Sequence, residues 1–195
     1  MKEMISSILV LTLICAVSAL LLSGVRSSTS QQIENQQLKY VKGPAIKKVL
    51  AGSTNDPIAD RVKVKMDDGS ELDVFVGIID GKPKIAFETQ GIGFDGPLNL
   101  MVGIDPETET LLGIGVTTHK ETPGVGSRIT EEPFEKQFTG LSLNENVSVK
   151  ADGGVIDAVS GATKSSRGAC EAVRHGIELY KNQKDKILAA IKNVQ

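Results

Sequence analysis

The chain has no tryptophan, two tyrosines and five phenylalanines, so aromatic residues make up only 4% of its 195 positions. Such scarcity argues against a stacking surface for single-stranded nucleic acid. A net charge of −2 leaves no basic footprint for a duplex either. There are two cysteines and two histidines, none with neighbours at metal-ligand spacing, so neither a zinc nor an iron–sulfur site is expected. Cys15 lies in an N-terminal apolar run and Cys170 in a late amphipathic segment, and no disulfide is expected between them. No Ser/His/Asp or Cys/His set argues for nucleophilic catalysis, so no catalytic residue is assigned.

What the chain does have is one membrane-length apolar run followed by a glycine-rich body with room for one domain. Residues 5–25 carry no charge and are dominated by Ile, Leu, Val and Ala. As a helix they would span roughly 30 Å, about one bilayer core. The run exceeds the ~7–15-residue core of a signal peptide, which predicts a retained transmembrane anchor after a cytoplasmic tail of residues 1–4. Residues 26–49 read as a polar Ser/Gln-rich stem and a lead-in helix interrupted near Gly43-Pro44. The globular domain is expected over residues 50–195. Charges flanking the anchor (Lys2, Glu3, Arg26) do not set its orientation.

Within the domain, apolar alternation predicts strands over residues 62–66, 72–79, 84–89, 99–104 and 111–118, with turns at Asp68-Gly69, Asp80-Gly81 and Asp105-Pro106. Consecutive strands joined by tight turns make a mostly antiparallel meander, hence an α+β fold with flanking helices. A short helix over residues 131–138, with Pro133 in its first turn, places Phe134 and Phe138 four apart to pack on the sheet. One more short strand is expected over residues 147–150, and residues 181–195 read as a surface helix.

The most informative stretch is Asp157-Ala158-Val159-Ser160-Gly161-Ala162-Thr163, followed by Lys164, Ser165 and Ser166. Beyond it, Cys170, Val173, Ile177 and Tyr180 recur at helical spacing and share one face. The small residues therefore lie at a helix N-terminus, where free N–H groups and the helix dipole favour an anion such as phosphate. Spacing leaves a second reading open, in which Ser160 or Thr163 simply caps the helix. A phosphate-loop motif is excluded, because Thr163 and not Gly precedes Lys164-Ser165.

Two other segments bear on function. Gly91-Ile92-Gly93-Phe94-Asp95-Gly96 fits the dinucleotide fingerprint by letter, but Pro97 and a strand follow it rather than a helix. Its glycines are instead expected to permit close approach of a flat ligand or another strand. His119-Lys120-Glu121-Thr122-Pro123-Gly124-Val125-Gly126 is a turn-forming loop in which Glu121 supplies an acceptor and Thr122 a hydroxyl.

The Ser160-Gly161-Ala162-Thr163 block resembles the flavinylation motif of the FMN-binding domains found in Rnf and Nqr ion-translocating respiratory complexes. The His119–Gly126 block resembles a second signature of that family, in which Leu is more usual at the position of Val125. The resemblance covers nearly the whole chain and best fits the G-subunit family of Rnf complexes, with the C-subunit family of Nqr complexes as the alternative. It implies FMN joined to Thr163 through a phosphoester installed by a separate flavin transferase, with Ser160, Gly161 and Ala162 around it. Glu121 and Thr122 are then partners of the flavin, and Gly91 and Gly93 line its pocket. It further implies an extracytoplasmic domain that relays electrons among other membrane subunits, coupling ferredoxin and NAD chemistry to Na⁺ or H⁺ transport. From a different class comes a membrane-anchored binding or assembly module without covalent flavin, and a third reading is a secreted soluble flavoprotein after signal cleavage.

Overall fold

A computed structural model of the chain describes residues 2–67 and 69–192. Met1, Asp68 of the first expected turn and the end of the last expected helix (193–195) lie outside the described residues. The chain forms two units that divide after Leu38.

The first unit is one helix, α1 (Lys2–Gln36), whose 18-residue apolar window has a mean hydropathy of 2.7 and is exposed throughout. Its length and composition suffice to cross a membrane. The polar stretch expected as a stem continues this helix. Its hydroxyls are satisfied locally, with Ser28 and Thr29 donating to Gly24 O and Val25 O one turn back at 2.9 and 2.8 Å.

The second unit opens with the end of a π-helical stretch (Gln37–Lys42) that leads into α2 (Gly43–Val49). Pro44, expected to interrupt a helix, begins one, its missing N–H falling where a first turn has no partner to lose. α2 buries Ala45, Ile46 and Val49 against the sheet, so this lead-in segment is part of the folded body.

Five antiparallel strands follow in the order β1-β2-β3-β4-β5: β1 (Val62–Lys65), β2 (Glu71–Ile79), β3 (Lys82–Ile92), β4 (Pro97–Asp105) and β5 (Thr110–Thr118). The meander matches the expected one, with β3 running three residues past the predicted end at Thr89. Asp80 (φ 53°) and Gly81 (φ 72°) both take the left-handed region, the backbone of a two-residue hairpin turn that suits strand twist. Both sheet faces are covered. Phe75, Ala86 and Gly103 pair across β2, β3 and β4 on the α2 side. Val74, Phe87, Leu100 and Val102 join the core beneath the C-terminal helix.

α3 (Glu132–Glu135), extended by a 3-10 turn to Phe138, lies along β5. Phe134 and Phe138 stack edge to face at 5.5 Å inside the core, as their spacing predicts. The Glu135 carboxylate accepts from Val116 N–H and pairs with Lys48 of α2. The strand expected over residues 147–150 is not formed. Only one parallel bridge joins Val149 to Ile156, because the chain turns into a 3-10 helix at Lys150 and then reverses at Gly153 (φ 81°).

The last helix, α4 (Thr163–Ile191), buries Cys170, Val173, Ile177 and Tyr180 on the face their spacing predicts. The separate surface helix expected from residue 181 is a correction. α4 continues through a kink at Gln183 (φ −116°, ψ 15°), and Ile187 and Ile191 are fully or almost fully buried in the core.

Candidate functional site

The start of α4 is shaped by backbone and by two buried serines. Gly161 (φ 79°) reverses the chain and Ala162 occupies the cap position, with no side chain capping the helix. The capping reading of Ser160 and Thr163 is thereby corrected: among the described residues neither hydroxyl has a hydrogen-bond partner, and both residues are exposed. Ser166, fully buried, does the bracing instead. Its Oγ accepts from Val159 N–H at 3.0 Å and donates to Ala162 O at 3.0 Å. The first intrahelical bond runs from Ser166 N–H to Ala162 O. The N–H groups of Thr163, Lys164 and Ser165 precede it and are left to face whatever lies at the helix end.

The loop between β5 and α3 approaches this helix end through Glu121. The loop holds its own shape: Thr122 O accepts from the N–H groups of Val125 and Ser127, and His119 Nδ1 accepts from Glu121 N–H at 3.2 Å. Glu121 is 4% exposed, and both its carboxylate oxygens are engaged. Oε1 accepts from Phe94 N–H at 2.8 Å and Asp95 N–H at 3.4 Å, in the β3–β4 turn, and Oε2 accepts from Ser165 Oγ of α4. One side chain thus ties together the three segments singled out in the sequence.

Between these segments lies a cleft of about 240 Å³. Phe94 walls it from the β3–β4 turn, Thr122, Val125 and Gly126 from the loop, and Gly161, Ala162 and Lys164 from the start of α4. Thr163 stands exposed between the lining residues Ala162 and Lys164. The Lys164 ammonium sits 5.6 Å from the centroid of the Phe94 ring and makes no ion pair among the described residues. Arg167, the other cation of that turn, is held bidentate by Asp152 at 2.7 and 2.6 Å, which keeps the Asp152 carboxyl below its ordinary range. Lys164 is therefore the cation available to an anion at the helix end.

Of the residues singled out in the sequence, Glu121, Thr122, Gly161 and Ala162 line this cleft, and Thr163, exposed, falls in sequence between two of its lining residues. Ser160 opens instead on a separate groove beside Arg128, Glu131 and Gln137. Gly93 lies directly beneath the Glu121 carboxylate. Gly91 is inside β3 against the backbone of α4, so the close approach its glycine permits is to a helix. Sequence reasoning missed Phe94 and the bond that Ser165 makes to Glu121. Phe94 alone carried a signal, as one of only five phenylalanines placed at the tip of a glycine-flanked hairpin.

A model of the family described as FMN-binding domain matches residues 93–178, which include all three cleft-forming segments. The chain is 30% identical over 185 residues to the G subunit of the ion-translocating oxidoreductase complex of Methanosarcina acetivorans, covering 93% of this chain and 97% of that one. It is 31% identical over 182 residues to the G subunit of the complex of the same name from Stutzerimonas stutzeri, covering 89% of this chain and 79% of that one. Among solved structures it is similar to the C subunit of the Na⁺-translocating NADH-quinone reductase of Parabacteroides distasonis, with 29% identity and a TM-score of 0.50. That likeness covers 56% of this chain and 61% of the other.

Proposed function

The chain belongs to the family of G subunits of ion-translocating oxidoreductase complexes, and from that premise we propose that it is a membrane-anchored electron relay carrying FMN covalently on Thr163. The observation that carries the proposal is the setting of Thr163. The residue is exposed and its hydroxyl, among the described residues, unpartnered, in the first turn of a long helix whose neighbouring Ala162 and Lys164 line a cleft with an aromatic wall. A phosphoester there would place its remaining negative charge at the positive end of α4. Phe94 and Val125 offer apolar surface to a flat ring, and Thr122 offers a hydroxyl.

The residues present fit the group. FMN supplies what the chain's own side chains lack, a centre that takes two electrons and gives them up one at a time. Thr163 Oγ1 would attack the phosphorus of a flavin phosphoanhydride held by a separate flavin transferase. Its O–P bond would form as the anhydride bond breaks, the other half of the anhydride leaving as a monophosphate and the hydroxyl proton passing to the transferase. Once attached, the cofactor is retained although the cleft is open. Lys164 and the helix N–H groups hold the phosphate, while the loop and the β3–β4 turn orient the ring.

α1 serves as the anchor, with the flavin domain on the extracytoplasmic side and the other membrane subunits of an Rnf-type complex as electron donor and acceptor. Ferredoxin and NAD chemistry would thereby be coupled to Na⁺ or H⁺ transport. The C-subunit reading is less favoured, since the likeness spans 61% of that protein against 97% of the Methanosarcina G subunit.

The test is intact mass and in-gel flavin fluorescence after denaturation, on the full chain coexpressed with a flavin transferase. One added FMN mapped to the peptide with Thr163, and lost in Thr163→Val, is the expected result. Absence of covalent flavin, with the transferase active on a control substrate, would leave an anchored binding module.

A further inference from the structure

We propose that Glu121 is a positioning residue whose buried carboxylate sets the first turn of α4, and with it Thr163, against the β3–β4 turn, and that it is not itself a flavin ligand. The inference rests on the covalent-flavin reading of Thr163. Glu121 receives hydrogen bonds from two N–H groups of the β3–β4 turn and from Ser165, two residues after Thr163. Thr163 has no side-chain partner of its own among the described residues, so its place is set by the backbone of that turn. The bond from Ser165 is what fixes the turn to the loop and to the opposite wall of the cleft.

Two glycines keep the space that this carboxylate occupies. A Cβ on Gly93 would overlap Glu121 Oε1. A Cβ on Gly126 would stand 2.6 Å from Oε2 and 2.9 Å from Ser165 Oγ. Neither glycine has the positive φ that would need glycine for backbone reasons. Their smallness serves the carboxylate. Because Gly93→Ala presses mainly on the far end of a flexible side chain, the fold can survive while the strut is pushed aside.

This arrangement makes a specific prediction about coupling. With the purified full chain, made without transferase and then treated with transferase and its flavin donor, Glu121→Ala and Gly93→Ala should each slow covalent flavin loading about tenfold, the scale of a displaced reacting group. In the Glu121→Ala background the extra methyl meets no carboxylate. Gly93→Ala should then add no more than about a twofold loss, the signature of two residues acting through one contact. Glu121→Gln, whose amide can still accept from Phe94 N–H and donate to Ser165 Oγ, should restore loading to near the wild-type rate. Thermal unfolding checks that each variant is folded; if Glu121→Ala is not, Gly93→Ala and Glu121→Gln still decide the matter. Wild-type loading in Gly93→Ala or Glu121→Ala, multiplying losses in the double variant, or a Glu121→Gln as slow as Glu121→Ala would each overturn the inference; the last would point to the negative charge facing the flavin. A wild-type chain that takes up no covalent flavin would instead overturn the proposed function.

Discussion

Gly91 of β3 and Gly168 of α4 meet backbone to backbone, and neither has room for a methyl group. A Cβ on Gly91 would run into Gly168 O and stand 2.8 Å from Ala172 N, and one on Gly168 would stand 2.5 Å from Ile92 O. Polar contacts follow the same seam. Thr89 Oγ1 donates to Ala172 O at 2.8 Å, and the Glu171 carboxylate accepts from Ile92 N–H at 3.0 Å. The seam brings the start of α4 level with the β3–β4 turn, and the cleft exists because those two ends are adjacent.

Replacing either glycine by alanine should therefore destabilise the domain, even though alanine favours a helix and restricts the unfolded chain. In Gly168→Ala the helix-propensity gain of about 1 kcal/mol opposes a clash with backbone that cannot rotate away. Overpacking of this kind costs about 1–3 kcal/mol, and more where backbone must move. Thermal denaturation should show both variants melting several degrees below the wild type. An unchanged or raised midpoint for Gly168→Ala would mean that helix and strand separate freely here.

The two serines flanking the motif should behave in opposite ways to what their positions in the sequence imply. Ser166 is fully buried and satisfies both Val159 N–H and Ala162 O, so Ser166→Ala leaves a donor unpaired and should cost about 1–3 kcal/mol. Ser160 is exposed and without a partner among the described residues, so Ser160→Ala should leave the unfolding midpoint unchanged. Paired denaturant titrations of the two variants give the comparison directly.

That contrast marks how much could be read beforehand. Alternation in β1 to β5 and the Asp80-Gly81 turn are local signals, and the meander follows from them. The face of α4 is likewise local, since Cys170, Val173, Ile177 and Tyr180 fall on one stripe. The braces are not local. Glu121 and Ser165 are 44 residues apart, and nothing in either segment announces the bond. Composition misled where a polar stretch could satisfy its hydroxyls inside α1, and where a kink at Gln183 let a charged segment keep Ile187 in the core. A helix start was legible at Thr163, because small residues before an amphipathic stripe define one. Which hydroxyls there are free and which are structural became visible only with the fold.

Cys170 should be chemically inert in the folded domain. Burial pushes its thiol up to about 12, so at neutral pH it holds its proton and presents no thiolate. In a Cys15→Ser background, maleimide at about pH 8, near the ordinary thiol range, should leave the native chain unlabelled and modify one thiol after denaturation. Rapid labelling of native protein would mean that the first half of α4 opens readily.

The Lys84–Asp105 pair should limit the domain's stability to acid. Both side chains are about nine-tenths buried, and the pair bridges β3 and β4. Burial alone would raise the Asp105 carboxyl, but hydrogen bonds from Lys84, the Glu107 N–H and Thr108 outweigh it and hold the group below its ordinary range. A carboxyl depressed in the fold contributes stability that is present above its unfolded value, about 3.9, and is lost as pH falls through the lower folded value. Asp105→Asn leaves a buried ammonium without its counter-charge, which costs about 3–5 kcal/mol at neutral pH. The neighbouring Lys82–Glu107 pair has both side chains more than half exposed, so Glu107→Gln should change stability by next to nothing. Denaturant midpoints measured from about pH 7 down to about pH 3 should show the gap between wild type and Asp105→Asn beginning to close below about pH 4, where Asp105 of the unfolded chain takes up a proton while the folded carboxyl still resists it. A gap that stays constant across that range would assign the loss to packing and not to charge.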